Sequence, residues 1–239
     1  MVVWSGFNAY RPWRSARSFG YLVVCMLLAI DYLDLAPRAA VAFCLGAVPF
    51  AWLIVRVFKG IDVREVGSGN VGATNASRAF SGKLRIAVFV AVYLLDAGKG
   101  LCAAQLGWGW GWGWGAGAGS MVAAVVCAAC AILGHVFTPF LAGRGGKGVA
   151  TATGALVALD WRVTAIGLVV FFLARWLSGH VFLGSLALGL GLAGATIAME
   201  PSNAFGERLS LTVLCFLIAA FLFWTHRSNL QKFLSARQS

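Results

Sequence analysis

Charge is scarce in this chain. Asp, Glu, Lys and Arg together make up 11% of its 239 residues, against about 25% in an ordinary soluble domain. Acidic groups are scarcest, eight in all, and histidines number three. Neither type gathers with cysteine into a cluster of metal-ligand spacing, so neither a metal nor a cofactor is expected. The six cysteines (25, 44, 102, 127, 130 and 215) all sit in or against apolar runs. Cys127 and Cys130 form a CxxC, but within MVAAVVCAACAIL it reads as a small-residue helix face rather than a redox motif. No internal repeat is visible. The one low-complexity stretch, GWGWGWGWGAGAG, reads as a loop without chemistry of its own.

What the chain has instead is apolar length. Hydrophobic residues are 60% of the sequence, and mean hydropathy is +0.84. Several runs approach the ~20 residues that cross a bilayer as helix. The expected fold is all-α: a polytopic membrane protein with seven transmembrane helices near 39–57, 86–106, 119–137, 149–159, 163–177, 180–199 and 209–225. Asp160, Trp161 and Arg162 cut the fourth of these short. Residues 1–38 form an amino-terminal extension, expected as an interfacial helix or an eighth span, and 39–239 the transmembrane domain.

Basic residues orient the spans. The net charge of +11 would raise nucleic acid as a partner in a soluble protein. Here no basic and aromatic face assembles outside the spans, so nucleic acid is not expected and the excess reads as positive-inside loops facing anionic lipid. One side would carry Arg56, Lys59, Arg64, Arg78, Lys83, Arg85, Arg144, Lys147, Arg175, Arg227, Lys232 and Arg237; the other would carry Arg38, Arg162 and Arg208. The richer side is cytoplasmic by this rule, and with it the carboxyl tail. The Trp-Gly run at 107–115 then falls on the outer face.

Four polar clusters interrupt the apolar background, all on the expected cytoplasmic side. GIDVREVGSGNVGATNASR places Gly67, Gly69 and Gly72 among Ser68, Asn70, Thr74, Asn75 and Arg78. Closely spaced glycines let backbone N–H groups turn toward an anion, and hydroxyls, amides and a guanidinium complete such a cradle. GRGGKGVAT sets Arg144 and Lys147 among Gly143, Gly145, Gly146 and Gly148. It fails the Walker A pattern because Gly148 follows Lys147, and an apolar helix rather than a strand precedes it. Taken together, two glycine-and-cation loops point to two phosphate groups. THRSN places His226, Arg227 and Asn229 at the inner end of the last span. In LLDAGKG, Asp96 and Lys99 share a helix face three residues apart; they either neutralise each other in the bilayer or serve the site.

These motifs resemble those of the acyl-phosphate:glycerol-3-phosphate acyltransferases, the PlsY family of bacterial integral membrane enzymes. The stretches that carry the resemblance are LGAVPFAWLI, GIDVREVGSGNVGATNASRA, LLDAGKG, GHVFTPFLAGRGGKGVATATG and HRSNL, in family order over roughly residues 44 to 230. The resemblance implies transfer of an acyl chain from acyl phosphate to the 1-hydroxyl of glycerol 3-phosphate, giving lysophosphatidic acid and phosphate. It implies Ser68, Arg78, Lys147, His226 and Asn229 as catalytic residues. Substrate binding would fall to Gly67, Gly69, Asn70, Gly72, Thr74, Asn75, Arg144, Gly145, Gly146 and Gly148. It further implies a bacterial inner-membrane location and an upstream enzyme that makes the acyl phosphate. The sequence departs from the family at Ala47, where serine is common, at Arg144, where lysine is usual, at Ser228, which replaces an acidic residue, and in the closing LSARQS.

The residues suit that chemistry. Acyl phosphate is an activated mixed anhydride, so a covalent enzyme intermediate is unnecessary; two anionic substrates need neutralisation and alignment instead. A His-x-x-x-x-Asp acyltransferase dyad is absent, since Phe140, Ser185 and Gln231 stand five residues after the three histidines. Two other classes compete. A transporter for a phosphorylated solute would show inverted repeats and polar residues along a path. A CDP-alcohol phosphotransferase would need several intramembrane aspartates to bind metal.

Overall fold

The computed structural model describes residues 32–109 and 119–236. The Trp-Gly run beyond residue 109 and most of the amino-terminal extension, with the interfacial helix or eighth span expected there, lie outside the described residues. The described residues are helical, with no strand among them. In chain order the helices are α1 (Tyr32–Ala47), α2 (Phe50–Lys59), a short α3 (Ala73–Ala76), α4 (Gly82–Gly107), α5 (Met121–Val136), α6 (Val149–Ser178), α7 (Val181–Met199), α8 (Leu209–Thr225) and α9 (Arg227–Ser235). By length and composition five segments of the described chain are apolar and long enough to cross a membrane, the first running Leu33–Lys59. The pair α8 and α9, bent by 52°, makes a sixth if taken as one span.

Two interruptions shape the bundle. The first is at Val48 and Pro49, where proline cannot continue the helical hydrogen bonding. The carbonyls there find side chains from elsewhere in the fold: Thr138 Oγ1, in the loop after α5, donates to Ala47 O at 2.6 Å, and Lys99 Nζ of α4 donates to Val48 O at 3.0 Å. The second is at Asp160, whose backbone is extended (φ −156°, ψ 103°) inside α6. Its carboxylate accepts from the Arg162 and Val163 amides at 2.9 and 3.3 Å, which makes it the amino-terminal cap of the second limb. A straight helix of this length would extend about 45 Å. Yet Val149 at one end and Arg175 near the other line the same cavity, so the chain folds back at Asp160. The sequence WR after Asp160, expected to separate two spans, marks that reversal.

The limbs are held by close packing rather than by apolar drive, because lipid tails are as apolar as the side chains they would replace. A Cβ on Gly100 would lie 2.0 Å from Thr151 O, and one on Gly154 would lie 1.8 Å from Ala97 O. Backbone therefore touches backbone where α4 meets the first limb of α6. Leu156, Leu188, Leu192, Leu211 and Leu222 fill the space among α6, α7 and α8, while Val169, Phe172, Trp176, Leu177 and Leu217 stand exposed on the outside as a lipid-facing surface requires. Opposite the cavity, Asp160 and Glu200 pair with Arg208 and Arg162. That cluster ties the α6 reversal to the far ends of α7 and α8.

Candidate active site

The first loop is built around one amide. Asn75, 1% exposed, accepts from the Ser68 N–H at 2.9 Å and the Ser68 hydroxyl at 3.2 Å. Its Nδ2 donates to Val63 O at 2.9 Å and to Val66 O at 2.8 Å. All of its bonding capacity goes into folding the loop, so it sets where Ser68 points. Gly67 takes φ +51°, and a Cβ there would meet Asn75 Oδ1 at 2.7 Å and Arg78 Cδ at 2.9 Å. The glycine thus lets Arg78 lie across the loop. Upstream, Asp62 caps the turn Val63–Glu65 and binds Arg64 and Trp52; the Arg64 hydrogen bonds hold its carboxyl far below the usual carboxylate range.

The second loop leaves α5 through the turn Pro139–Leu141 and returns against the end of that helix. The Gly145 N–H donates to Val136 O at 3.0 Å and the Gly146 N–H to His135 O at 3.1 Å. A Cβ on Gly145 would stand 1.9 Å from His135 O, and one on Gly146 2.0 Å from His135 Nε2. These glycines permit close approach. Gly148, at φ +81°, turns the chain into α6. Between them Lys147 reaches the tail: its Nζ donates to Asn229 Oδ1. Desolvation pushes the Lys147 ammonium down to about 8.

At the α8–α9 bend, His226 is 3% exposed. Its Nδ1 lies 2.9 Å from Leu222 O. A carbonyl only accepts, so Nδ1 carries the proton and Nε2 is left as an acceptor when the ring is neutral.

These pieces enclose one cavity of about 700 Å³. Of the residues expected from sequence, Ser68, Asn70, Gly72, Thr74, Asn75, Arg78, Lys147, Gly148, His226 and Asn229 line it. Gly67, Gly69, Arg144, Gly145 and Gly146 do not. Gly69 backs onto Arg64 O at 3.1 Å, and Arg144 is exposed. The cavity also takes in residues not singled out for the site: Arg85, Tyr93, His135, Arg175 and His180, with Ile86, Phe89, Phe171, Val181 and Phe182 giving it an apolar flank. Arg85 and Arg175 carried only an orientation signal in the sequence, because a cation at a helix end looks the same whether it faces lipid headgroups or a site. Among the described residues Asp96 is the one carboxylate on the lining, and Lys99 Nζ lies 2.9 Å from it. By contrast Arg78, Arg85, Lys147 and Arg175 have no carboxylate partner among the described residues.

A family model described as glycerol-3-phosphate acyltransferase matches residues 38–236. The chain is 38% identical over 194 residues to glycerol-3-phosphate acyltransferase 1 of Deinococcus radiodurans, covering 80% of this chain and 87% of that one. It is 34% identical over 197 residues to the Syntrophomonas wolfei glycerol-3-phosphate acyltransferase, covering 82% and 92%. Among solved structures it is similar to PlsY (YgiH), an integral membrane glycerol 3-phosphate acyltransferase, in its glycerol 3-phosphate form, with a TM-score of 0.71, 27% identity, and 85% and 93% of the two chains covered. The lysophosphatidic acid form matches at 0.69. Most of the chain is spanned by each match, and on that ground it belongs to the glycerol-3-phosphate acyltransferase family of integral membrane proteins.

Proposed function

We propose that this protein transfers an acyl chain from acyl phosphate to the 1-hydroxyl of glycerol 3-phosphate, releasing lysophosphatidic acid and inorganic phosphate. The observation that carries this reading is the charge of the cavity. Four cations line it without carboxylate partners, its single carboxylate is already paired, and one flank is apolar. Such a cavity fits two phosphate dianions and the start of an acyl chain. The relatives' name supplies glycerol 3-phosphate as the acceptor.

In this reading Ser68, Arg78 and the amides near Gly72 receive one phosphate, while Lys147, aligned by Asn229, receives the other. The 1-hydroxyl oxygen attacks the acyl carbonyl carbon, the bond from that carbon to the phosphate oxygen breaks, and phosphate leaves. The hydroxyl proton passes to a phosphate oxygen of the substrates. Lys147 and Arg78 act by holding two like-charged molecules in contact and by stabilising charge on the departing phosphate. His226 Nε2 accepts a hydrogen bond from the acceptor's hydroxyls. No step calls for a metal, and no group of three His, Cys, Asp or Glu able to hold one occurs among the described residues.

The fold-back at Asp160 divides α6 into two crossings, which with α1–α2, α4, α5, α7 and α8 makes seven. With the cavity on the side richer in Lys and Arg, the site faces the cytoplasm across a bacterial inner membrane, where an enzyme producing acyl phosphate supplies the donor. The test is turnover of purified protein with glycerol 3-phosphate and either palmitoyl phosphate or palmitoyl-CoA. Selective use of palmitoyl phosphate is expected; equal use of the thioester sinks the donor assignment.

A further inference from the structure

Asp96, Lys99 and His135 form a buried group from two helices that the reaction above does not use. Asp96 and Lys99 stand one turn apart on α4, and His135 belongs to the last turn of α5. Asp96 is 2% exposed, Lys99 6% and His135 7%. Asp96 Oδ1 lies 2.9 Å from Lys99 Nζ and 3.6 Å from His135 Nδ1, the latter too long for a hydrogen bond but close for a charge in a dry setting. Lys99 Nζ also donates a hydrogen bond to Val48 O, at 3.0 Å, in the break between α1 and α2.

The other side of His135 faces the second loop. Its carbonyl takes the Gly146 N–H, and its Nε2 lies where any side chain at Gly146 would stand. Val71 O of the first loop approaches the same glycine, within 2.5 Å of a Cβ built there. One imidazole is therefore wedged at the point where both anion loops meet, against the glycine that immediately precedes Lys147. Neutralising a buried lysine requires only a carboxylate. It does not explain why that carboxylate also faces the one histidine against which the Lys147 loop is seated.

We infer that Asp96 and His135 are positioning residues: Asp96, held by Lys99, fixes the His135 ring, and the ring fixes the backbone at Gly145 and Gly146 that delivers the Lys147 ammonium to a substrate phosphate. This deepens the proposed function and rests on its assignment of a phosphate to Lys147. Neither residue touches the reacting atoms; both act through Lys147.

The experiment compares full-length protein in detergent carrying Asp96→Asn with Lys99→Gln, or His135→Gln, each alone and each added to Lys147→Ala. Direct binding of glycerol 3-phosphate and kcat/KM are read together. The paired change keeps the volumes, balances the charge and leaves an amide to bond Val48 O, so neutralisation alone predicts activity within threefold of wild type. Positioning predicts that each variant loses at least about tenfold in kcat/KM and in affinity. It also predicts that each adds less than threefold once Lys147 is alanine, because residues acting as a unit are not additive. Activity within threefold for the paired variant overturns the inference, as does a loss that multiplies fully on Lys147→Ala. If the Asp96 variants do not purify, His135→Gln, which leaves the ion pair intact, decides by the same two criteria. A wild-type protein that binds glycerol 3-phosphate but ignores palmitoyl phosphate overturns the donor assignment alone and leaves the binding readout in force.

Discussion

Lys147 and Asn75 sit in neighbouring loops, yet their removal should be told apart by different instruments. Lys147 is half-buried in the loop after α5, on the cavity wall, and makes one side-chain hydrogen bond. Lys147→Ala opens no core cavity, so detergent stability should be nearly unchanged while kcat/KM falls by 100-fold or more, about 2.7 kcal/mol of barrier. Arg78→Lys should fall at least about tenfold, since an ammonium lacks the guanidinium's paired donors. Asn75→Ala should lower stability as well as activity, because Asn75 both closes the loop and sets where Ser68 points. The substitution strands the buried Val63 O and the half-buried Val66 O, and at about 1–3 kcal/mol for an unmet buried group the loop should unfold at markedly lower temperature, a loss thermal melting would detect. Proton binding separates activity from stability for Lys147 as well. Its ammonium titrates near 8 instead of 10.5, so the cation that binds phosphate is lost as pH rises through about 8. The pH profile of kcat/KM should decline along that limb. Stability should move the other way between 8 and 10.5, because there the unfolded chain binds more protons than the folded one. A flat profile up to pH 10 contradicts a phosphate role for the free ammonium. Lys147 was conspicuous in the sequence as a cation amid four glycines. Asn75 was equally visible, but as one amide among several; that its bonds turn inward to Val63 and Val66 depends on the loop's closure, which no local pattern encodes.

The α6 helix shows what patterning captures and what it misses. Asp160, Trp161 and Arg162 signalled an interruption because charged residues are costly in a bilayer centre. The structure turns that interruption into a cap, with the Asp160 carboxylate on the amides of Arg162 and Val163 and an ion pair to Arg208. Arg208 lies 48 residues along the chain, so the sequence carried the break but not the ion pair that anchors it. Asp160→Ala should therefore cost more than a surface ion pair, about 3 kcal/mol or more, by leaving Arg208 without its closest partner and the second limb uncapped. Melting in detergent checks this, and a change below 1 kcal/mol would mean that α7 and α8 alone hold the reversal. The glycines of α4 and α6 were legible only as composition. Gly100 and Gly154 are needed because Thr151 O and Ala97 O lie within 2.0 Å of where their Cβ atoms would be, a fact that belongs to the pair of helices. Conversely, the start of α9 was visible in the sequence through Arg227 and Asn229, but not where the helix docks. Its seat is set by the Phe233 ring 5.1 Å from His180 and 5.5 Å from Phe182, contacts that bring Asn229 over Lys147.

For the whole molecule, the arrangement of charge decides which way the chain faces. Unpaired cations gather at the cavity end, whereas Arg162 and Arg208 at the opposite end are ion-paired to Asp160 and Glu200. Pairing lowers the electrostatic cost of holding a loop on the outer surface, and unpaired Lys and Arg favour the cytoplasmic leaflet with its anionic lipids. By the same rule the loop count made from sequence expects the cavity end inside. If the break at Asp160 makes two crossings of α6, as proposed above, the number of crossings is odd and the stretch after α4 should lie on the side opposite the carboxyl tail. A single cysteine placed at Trp112 or at Arg237, in a cysteine-free background, is then expected to react with a membrane-impermeant maleimide from outside intact cells at position 112 only, and at 237 only after the membrane is opened. Labelling of both positions from outside would mean that α6 crosses once, and the fold-back would be wrong. Labelling at 237 alone would invert the protein, and the cavity would then open away from the cytoplasm, where neither glycerol 3-phosphate nor an acyl phosphate made inside the cell could reach it.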